Sequence, residues 1–270
     1  MNAVTAVGKP TVSVIAMGRP QGLAPVIDRL PAVLTGYYGG PHWGAAIVDA
    51  LFGVTNPAGK LPVTLPRHVG RVPIHHGQKT GTGYRRTAAD IHHGRHPPRP
   101  TSTTSTTADI HHGYLDMPST PQFPFGHGLS YTTFDYGPLQ LERDTVDVTG
   151  EARMSLTVTN SGNRPGTEVV QLNAADTATD VTLPAQQLIG FVRVGLEPGA
   201  SKTVSFAVPM SLLGHTGLSG DFIMEPGPIE VSAGINSSDI RSSAKLTVTG
   251  QTCTIAGEDR TFLSAATLGP

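Results

Sequence analysis

The chain has a single cysteine, Cys253, among its 270 residues. No intrachain disulfide can form, and neither a thiolate zinc cluster nor a dithiol redox motif can be assembled. Nothing near Cys253 in the sequence would activate a thiolate, so it reads as a bystander. Charge is scarce as well. Asp, Glu, Lys and Arg make up 14% of the chain, with 19 basic residues against 20 acidic ones. That balance gives no overall field to draw in nucleic acid or an anionic membrane surface. No run is long and apolar enough to span a bilayer. The start, Met1-Asn2-Ala3-Val4, shows no basic region followed by an apolar stretch. A secretory leader is therefore not visible, and localisation is left open with the cytoplasm as default.

Glycine and proline are plentiful instead, at 32 and 23 residues, a mixture that suits turn-rich β structure better than a helical bundle. The length allows two ordinary domains, each with its own core. Residues 11–17 (TVSVIAM) form a β-branched run closed by Gly18-Arg19-Pro20, as a buried strand ending in a turn would. An amphipathic stretch at 23–30 and a second short strand at 32–35 follow. Residues 42–52 then place Trp43, Ala46, Ile47, Ala50 and Leu51 at helical intervals, with Gly53 as the stop. These elements predict an incomplete α/β layer over 1–76.

Periodicity is lost over 77–113, a Pro/Ser/Thr-rich segment in which ADIHHG occurs twice, at 89–94 and 108–113. Two copies are too few for a solenoid and read as a tandem duplication inside a loop. Residues 114–137 read as the end of the α/β domain and a connector. From 138 to 250 the pattern becomes all β, with alternating segments at 155–159, 168–172, 189–194, 202–208, 229–232 and 244–248. Roughly seven such strands make a two-sheet sandwich of about 100 residues. Residues 251–270 are expected to be a tail.

Several motifs in order carry a resemblance. Gly8-Lys9-Pro10 and Gly18-Arg19-Pro20 bracket the first strand; LFGVTNPAGKLPVTLP follows at 51–66 and PQFPFGHGLSYTTFDY at 121–136. The β-rich half adds VTNSGNRPGTEVVQL at 158–172, LIGFVRVGLEPGASKTVSF at 188–206 and SSDIR at 237–241. Together they resemble the C-terminal portion of family-3 glycoside hydrolases, the β-glucosidase and β-xylosidase type, with its fibronectin type III-like domain. The resemblance implies a fold of α/β plus all-β class: a partial α/β sandwich domain followed by an immunoglobulin-like β-sandwich. The implied parent activity is retaining hydrolysis of terminal β-linked sugars, without metal or cofactor.

Retaining hydrolysis needs two carboxyl groups about 5–5.5 Å apart, one as nucleophile and one as acid/base. In the family an N-terminal barrel supplies an aspartate nucleophile, and a glutamate upstream of the Gly-Arg-Pro strand usually serves as acid/base. This sequence starts after both positions, so the resemblance assigns no catalytic, substrate-binding, cofactor or metal residue here. Asp28, Asp49, Asp116 and Glu168 are expected to be structural. The turn Gly39-Gly40-Pro41-His42-Trp43-Gly44 also lacks a carboxylate that relatives commonly carry.

Three roles remain open for such a chain: a remnant of a disrupted enzyme, one subunit of a split hydrolase completed by a barrel-containing chain, or an interaction module. A β-linked saccharide would be bound only in the completed form. Seven histidines, His75, His76, His92, His93, His96, His111 and His112, cluster in or beside the loop. Metal sites need fixed second-sphere partners, which adjacent His-His pairs in a low-complexity segment do not offer. Ser130 lies outside any Gly-x-Ser-x-Gly elbow, so a serine nucleophile is not supported. Phe191, Phe206 and Phe222 fall in strand-like patterns and are expected in the core, leaving few aromatic faces for sugar stacking. The N-terminal third is expected to be poorly ordered or to associate, since Val12, Val14, Ile15 and Leu34 would lack partners.

Overall fold

The computed structural model describes residues 4, 6–27, 29–72, 74–79, 120–176 and 178–269. The duplicated ADIHHG copies, His92, His93, His96, His111, His112, Asp28 and Asp116 lie outside the described residues. The first β-branched run forms β1 (Val12–Ala16), followed by α1 (Ala24–Ile27), β2 (Ala32–Gly36) and α2 (Trp43–Leu51). β1 and β2 pair in parallel, Val12 opposite Ala32 through to Ala16 opposite Gly36. The helix expected over 23–30 makes a single turn. Pro25 fits the start of a helix, while Pro31 disfavours helical backbone at Leu30 and so limits its length. α2 ends as its sequence dictates: Gly53 adopts φ +74° and its N–H donates to the Ala50 carbonyl.

Ser13, Ile15 and Met17 share the inner face of β1, where Met17, Leu23 and Leu65 are buried against Ile15, Ile27, Tyr37, Leu61 and Phe123. The opposite face carries Val12 and Val14, which are 50% and 38% exposed. β1 is thus apolar on both sides, the pattern of a strand covered on both faces, with one face uncovered. α2 is similarly half-covered. Ala50 is its buried residue, while Val48, Leu51 and the following Phe52 are exposed.

The β-rich half comprises β3 (Phe134–Tyr136), β4 (Gln140–Leu141), β5 (Thr145–Asp147), β6 (Glu151–Asn160), β7 (Gly166–Asp176), β8 (Gln187–Leu196), β9 (Ser201–Pro209), β10 (His215–Thr216), β11 (Phe222–Met224), β12 (Gly227–Gly234), β13 (Ile240–Thr249), β14 (Cys253–Thr254) and β15 (Ala265–Leu268). One sheet runs β5-β13-β12-β7-β8, the facing one β15-β9-β6-β3 with β4 beside β6, and β10-β11-β14 form a small third sheet. Strict alternation in β6 sends Ala152, Met154, Leu156 and Val158 inward to meet Val204, Phe206 and Val208 of β9 and Val170, Leu172, Ile189, Ile229, Val231 and Leu246 from the other sheet. Each such aliphatic or aromatic side chain contributes about 1.5–3 kcal/mol when fully buried. The sandwich therefore holds far more of the fold's stabilisation than the small Met17, Leu23 and Leu65 cluster.

Two details differ from the sequence expectations. Phe206 is in the core and Phe222 packs against it, but Phe191 is 49% exposed. The register of β8 against β7 shifts between Leu172 and Asn173, where Gly190 and Leu188 are the successive partners. An extra residue there changes which parity faces inward and turns Phe191 out. The stretch 251–270, expected as a tail, contributes β14 and β15. β15 extends the second sheet by antiparallel pairing with Val204 to Ala207 of β9, and the Ser264 N–H donates to the Ile189 carbonyl. Short, weakly apolar strands of this kind carry little periodic signal; their hydrogen bonds with a ready sheet edge determine them.

Candidate functional site

The segment 121–131 joins the two halves. Its backbone pairs with 61–65: Leu61 N–H donates to the His127 carbonyl, Gly126 N–H to Leu61 and Leu65 N–H to Phe123. Phe123 enters the small α/β core and stacks on His127 at 4.6 Å, while Phe125 stacks on His76 at 4.0 Å. Gly126 adopts positive φ, at +80°, and Gly128 does not. Gly128 is needed for another reason: a Cβ there would collide with the Gly59 carbonyl oxygen. Ser130 Oγ donates to Asn56 Oδ1 at 2.9 Å, and Asn56 Nδ2 donates to the Pro165 carbonyl at 2.9 Å. Ser130 thus fixes a loop.

Beneath this connector Lys60 Nζ lies 2.9 Å from Glu168 Oε1 on β7 and also donates to the Gly128 carbonyl at 3.1 Å. Glu168 Oε1 further accepts from the Val169 N–H at 2.9 Å. Burial, then the Lys60 charge, hold the His127 imidazole below its ordinary range. Burial, then the Glu168 charge, raise the Tyr136 phenol. These groups form an ion-paired hinge between the halves.

An open cleft of about 870 Å³ lies alongside, lined by Gly53 to Asn56 and Tyr131 on one side and by Arg164, Thr167, Glu197 and Lys202 on the other. Its lining includes one carboxylate, Glu197, and two cationic side chains, Arg164 and Lys202. Among the described residues its walls do not include the two facing carboxylates that retaining hydrolysis needs.

Among the described residues one group of His, Asp and Glu side chains converges, and none of its members lines that cleft. Asp180 Oδ1, His215 Nε2 and Glu225 Oε2 all lie within 4.8 Å of one another. The Asp180 and Glu225 carboxylates are close to one another, and His215 Nε2 lies 3.4 Å from Asp180 Oδ1 and 3.2 Å from Glu225 Oε2. Nearby Asp176 accepts from the Ala178 N–H at 3.1 Å, and burial pushes its carboxyl above the usual range. Sequence reading missed this trio because its members lie in unrelated segments and share no motif.

Residues 1–131 match the Glycosyl hydrolase family 3 C-terminal domain, and residues 168–237 match the Fibronectin type III-like domain. A Periplasmic beta-glucosidase of Salmonella typhimurium is 35% identical over 245 residues, which cover 90% of this chain and 30% of that protein. A Beta-xylosidase of Formosa agariphila is 34% identical over 249 residues, covering 92% of this chain and 31% of its own length. Among solved structures, a β-glucosidase from Erythrobacter marinus superposes with a TM-score of 0.78 at 35% identity, covering 92% of this chain and 29% of that one. The β-glucosidase of Listeria innocua in complex with glucose gives 0.78 at 26% identity, covering 92% of this chain and 32% of that one. The chain spans about 30% of the length of the curated relatives it matches.

Proposed function

Because this chain is the C-terminal portion of a family-3 glycoside hydrolase, we propose that it serves as the non-catalytic part of a retaining β-glycosidase, completed by a barrel that supplies the nucleophile and the acid/base. No residue of this chain is assigned either role. The substrate class of the completed enzyme is a terminal β-linked glucoside or xyloside, by analogy with relatives named as beta-glucosidase and beta-xylosidase.

The uncovered face of β1 carries this reading. Val12 and Val14 stand half exposed on a two-stranded parallel sheet, a structure that is otherwise found with both faces covered. Val48, Leu51 and Phe52, on and just after α2, are exposed as well. The cleft supports the same reading, since among the described residues its walls offer Glu197 as the one carboxylate.

Co-expression with a separate barrel-containing chain tests the proposal. A stable one-to-one complex is expected, weakened by Val14→Asp on the exposed face of β1. Failure of the two chains to associate under any condition overturns the two-chain form of the reading. Turnover by this chain alone overturns the reading entirely.

A further inference from the structure

We propose that Asp180, His215 and Glu225 form a tetrahedral site for a divalent cation of the zinc class, stapling the loop after β7 to β10 and to the link between β11 and β12. The sequence assigns no metal ligand, and the structure brings these three together. His215 opens β10 with a side chain only 7% exposed, and its Nε2 lies within 3.4 Å of both Asp180 Oδ1 and Glu225 Oε2.

The spacings suit a metal better than a proton. A charge-assisted N–H to carboxylate contact closes to about 2.7–2.9 Å. Here Nε2 stays 3.4 Å from Asp180 Oδ1 and 3.2 Å from Glu225 Oε2. Tetrahedral zinc bound at about 2.0–2.1 Å keeps neighbouring donor atoms about 3.3–3.4 Å apart. The two His215 edges bracket that value, and the Asp180–Glu225 edge is no longer than 4.8 Å.

Charge points the same way. One imidazolium would offset only one of the two carboxylates that lie 3.4 Å and 3.2 Å from Nε2. A divalent cation balances both carboxylates while the imidazole stays neutral and offers Nε2 as a donor. One nitrogen and two oxygens suit zinc and its first-row neighbours, whereas calcium and magnesium prefer all-oxygen sets.

The ligands are held from outside the site as well. Asp180 Oδ2 accepts from the Leu218 N–H at 3.3 Å, and Glu225 Oε2 accepts from the Asp180 N–H at 3.1 Å. Asp180 is 31% exposed at its side chain, leaving an entry path and room for a water as fourth ligand. The cation would be structural, since none of its ligands faces the cleft.

The test uses the whole chain, stripped with chelator and then titrated with zinc chloride by calorimetry, with magnesium chloride in parallel. Cobalt(II) loading gives a second readout, because a tetrahedral field produces intense visible bands. Expected are one zinc-selective site per chain, a visible tetrahedral cobalt spectrum, and an unfolding midpoint that rises with zinc. Asp180→Asn, at a partly exposed position, and His215→Gln should each weaken this site by more than the roughly 10–100-fold caused by losing an outer-sphere partner. Asp180→Asn keeps the test sound if His215→Gln fails to fold. Zinc uptake with the same affinity in Asp180→Asn would assign the ion to histidines elsewhere in the chain and overturn the proposal, as would no uptake by the parent chain.

Discussion

Lys60 Nζ lies 2.9 Å from Glu168 Oε1, with side chains only 12% and 5% exposed, so an ion pair crosses from the α/β half into strand β7 of the sandwich. Removing one partner strands the other charge in a poorly hydrated site. Lys60→Met or Glu168→Gln should each destabilise the fold by about 3–5 kcal/mol, and the double change Lys60→Met with Glu168→Leu should recover much of that loss. Urea denaturation of the three variants checks it. A double variant as unstable as both single losses combined would show that the pair is not coupled.

The halves should also unfold unequally. Trp43, the lone tryptophan, sits at the start of α2 in the weakly covered half, while the large core belongs to the sandwich. Trp43 fluorescence should therefore change at lower urea than the far-ultraviolet circular dichroism of the strands. Coincident transitions would mean that the small α/β core is as firmly held as the sandwich.

Acid should loosen the hinge through His127. Its folded-state pKa is depressed below the ordinary 6.5 by burial and Lys60, so the unfolded chain takes up the proton first as pH falls. The stability linked to this residue is complete above about 6.5 and is lost as pH falls through the folded value. Denaturation midpoints measured at about pH 7.5 and about pH 5.5 should differ less in His127→Phe, which keeps the ring against Phe123, than in the parent chain. Equal differences would remove His127 from the account.

The register shift in β8 separates two phenylalanines. Phe206→Ala should cost about 3–5 kcal/mol by opening a cavity between the sheets. Phe191→Ala, at an exposed position, should stay within about 0.5 kcal/mol. Thermal unfolding of the two variants reads the contrast directly, and a large loss at Phe191 would contradict the observed register.

Much of this architecture is legible in the sequence because period and punctuation are strong there. The alternation from Ala152 to Val158 fixes β6, the β-branched run fixes β1, and Gly53 ends α2. What escapes is set by long-range pairing. The bulge that turns Phe191 outward depends on the partner strand, and β15 depends on the edge of β9. Lys60 and Glu168, like Asp180, His215 and Glu225, come together only once the sheets are stacked, so no local spacing announces them. The exposure of Val12 and Val14 follows from a missing cover, whereas Ile15, expected to lack partners with them, packs against Met17, Leu23 and Leu65.

The most direct test of the central claim is hydrolysis of an aryl β-glucoside and an aryl β-xyloside by the purified chain, first alone and then mixed with a barrel-containing chain. No release of the aryl group is expected from the chain alone, and turnover is expected in the mixture. Turnover by the chain alone, abolished by changing one of its own carboxylates, would contradict that claim.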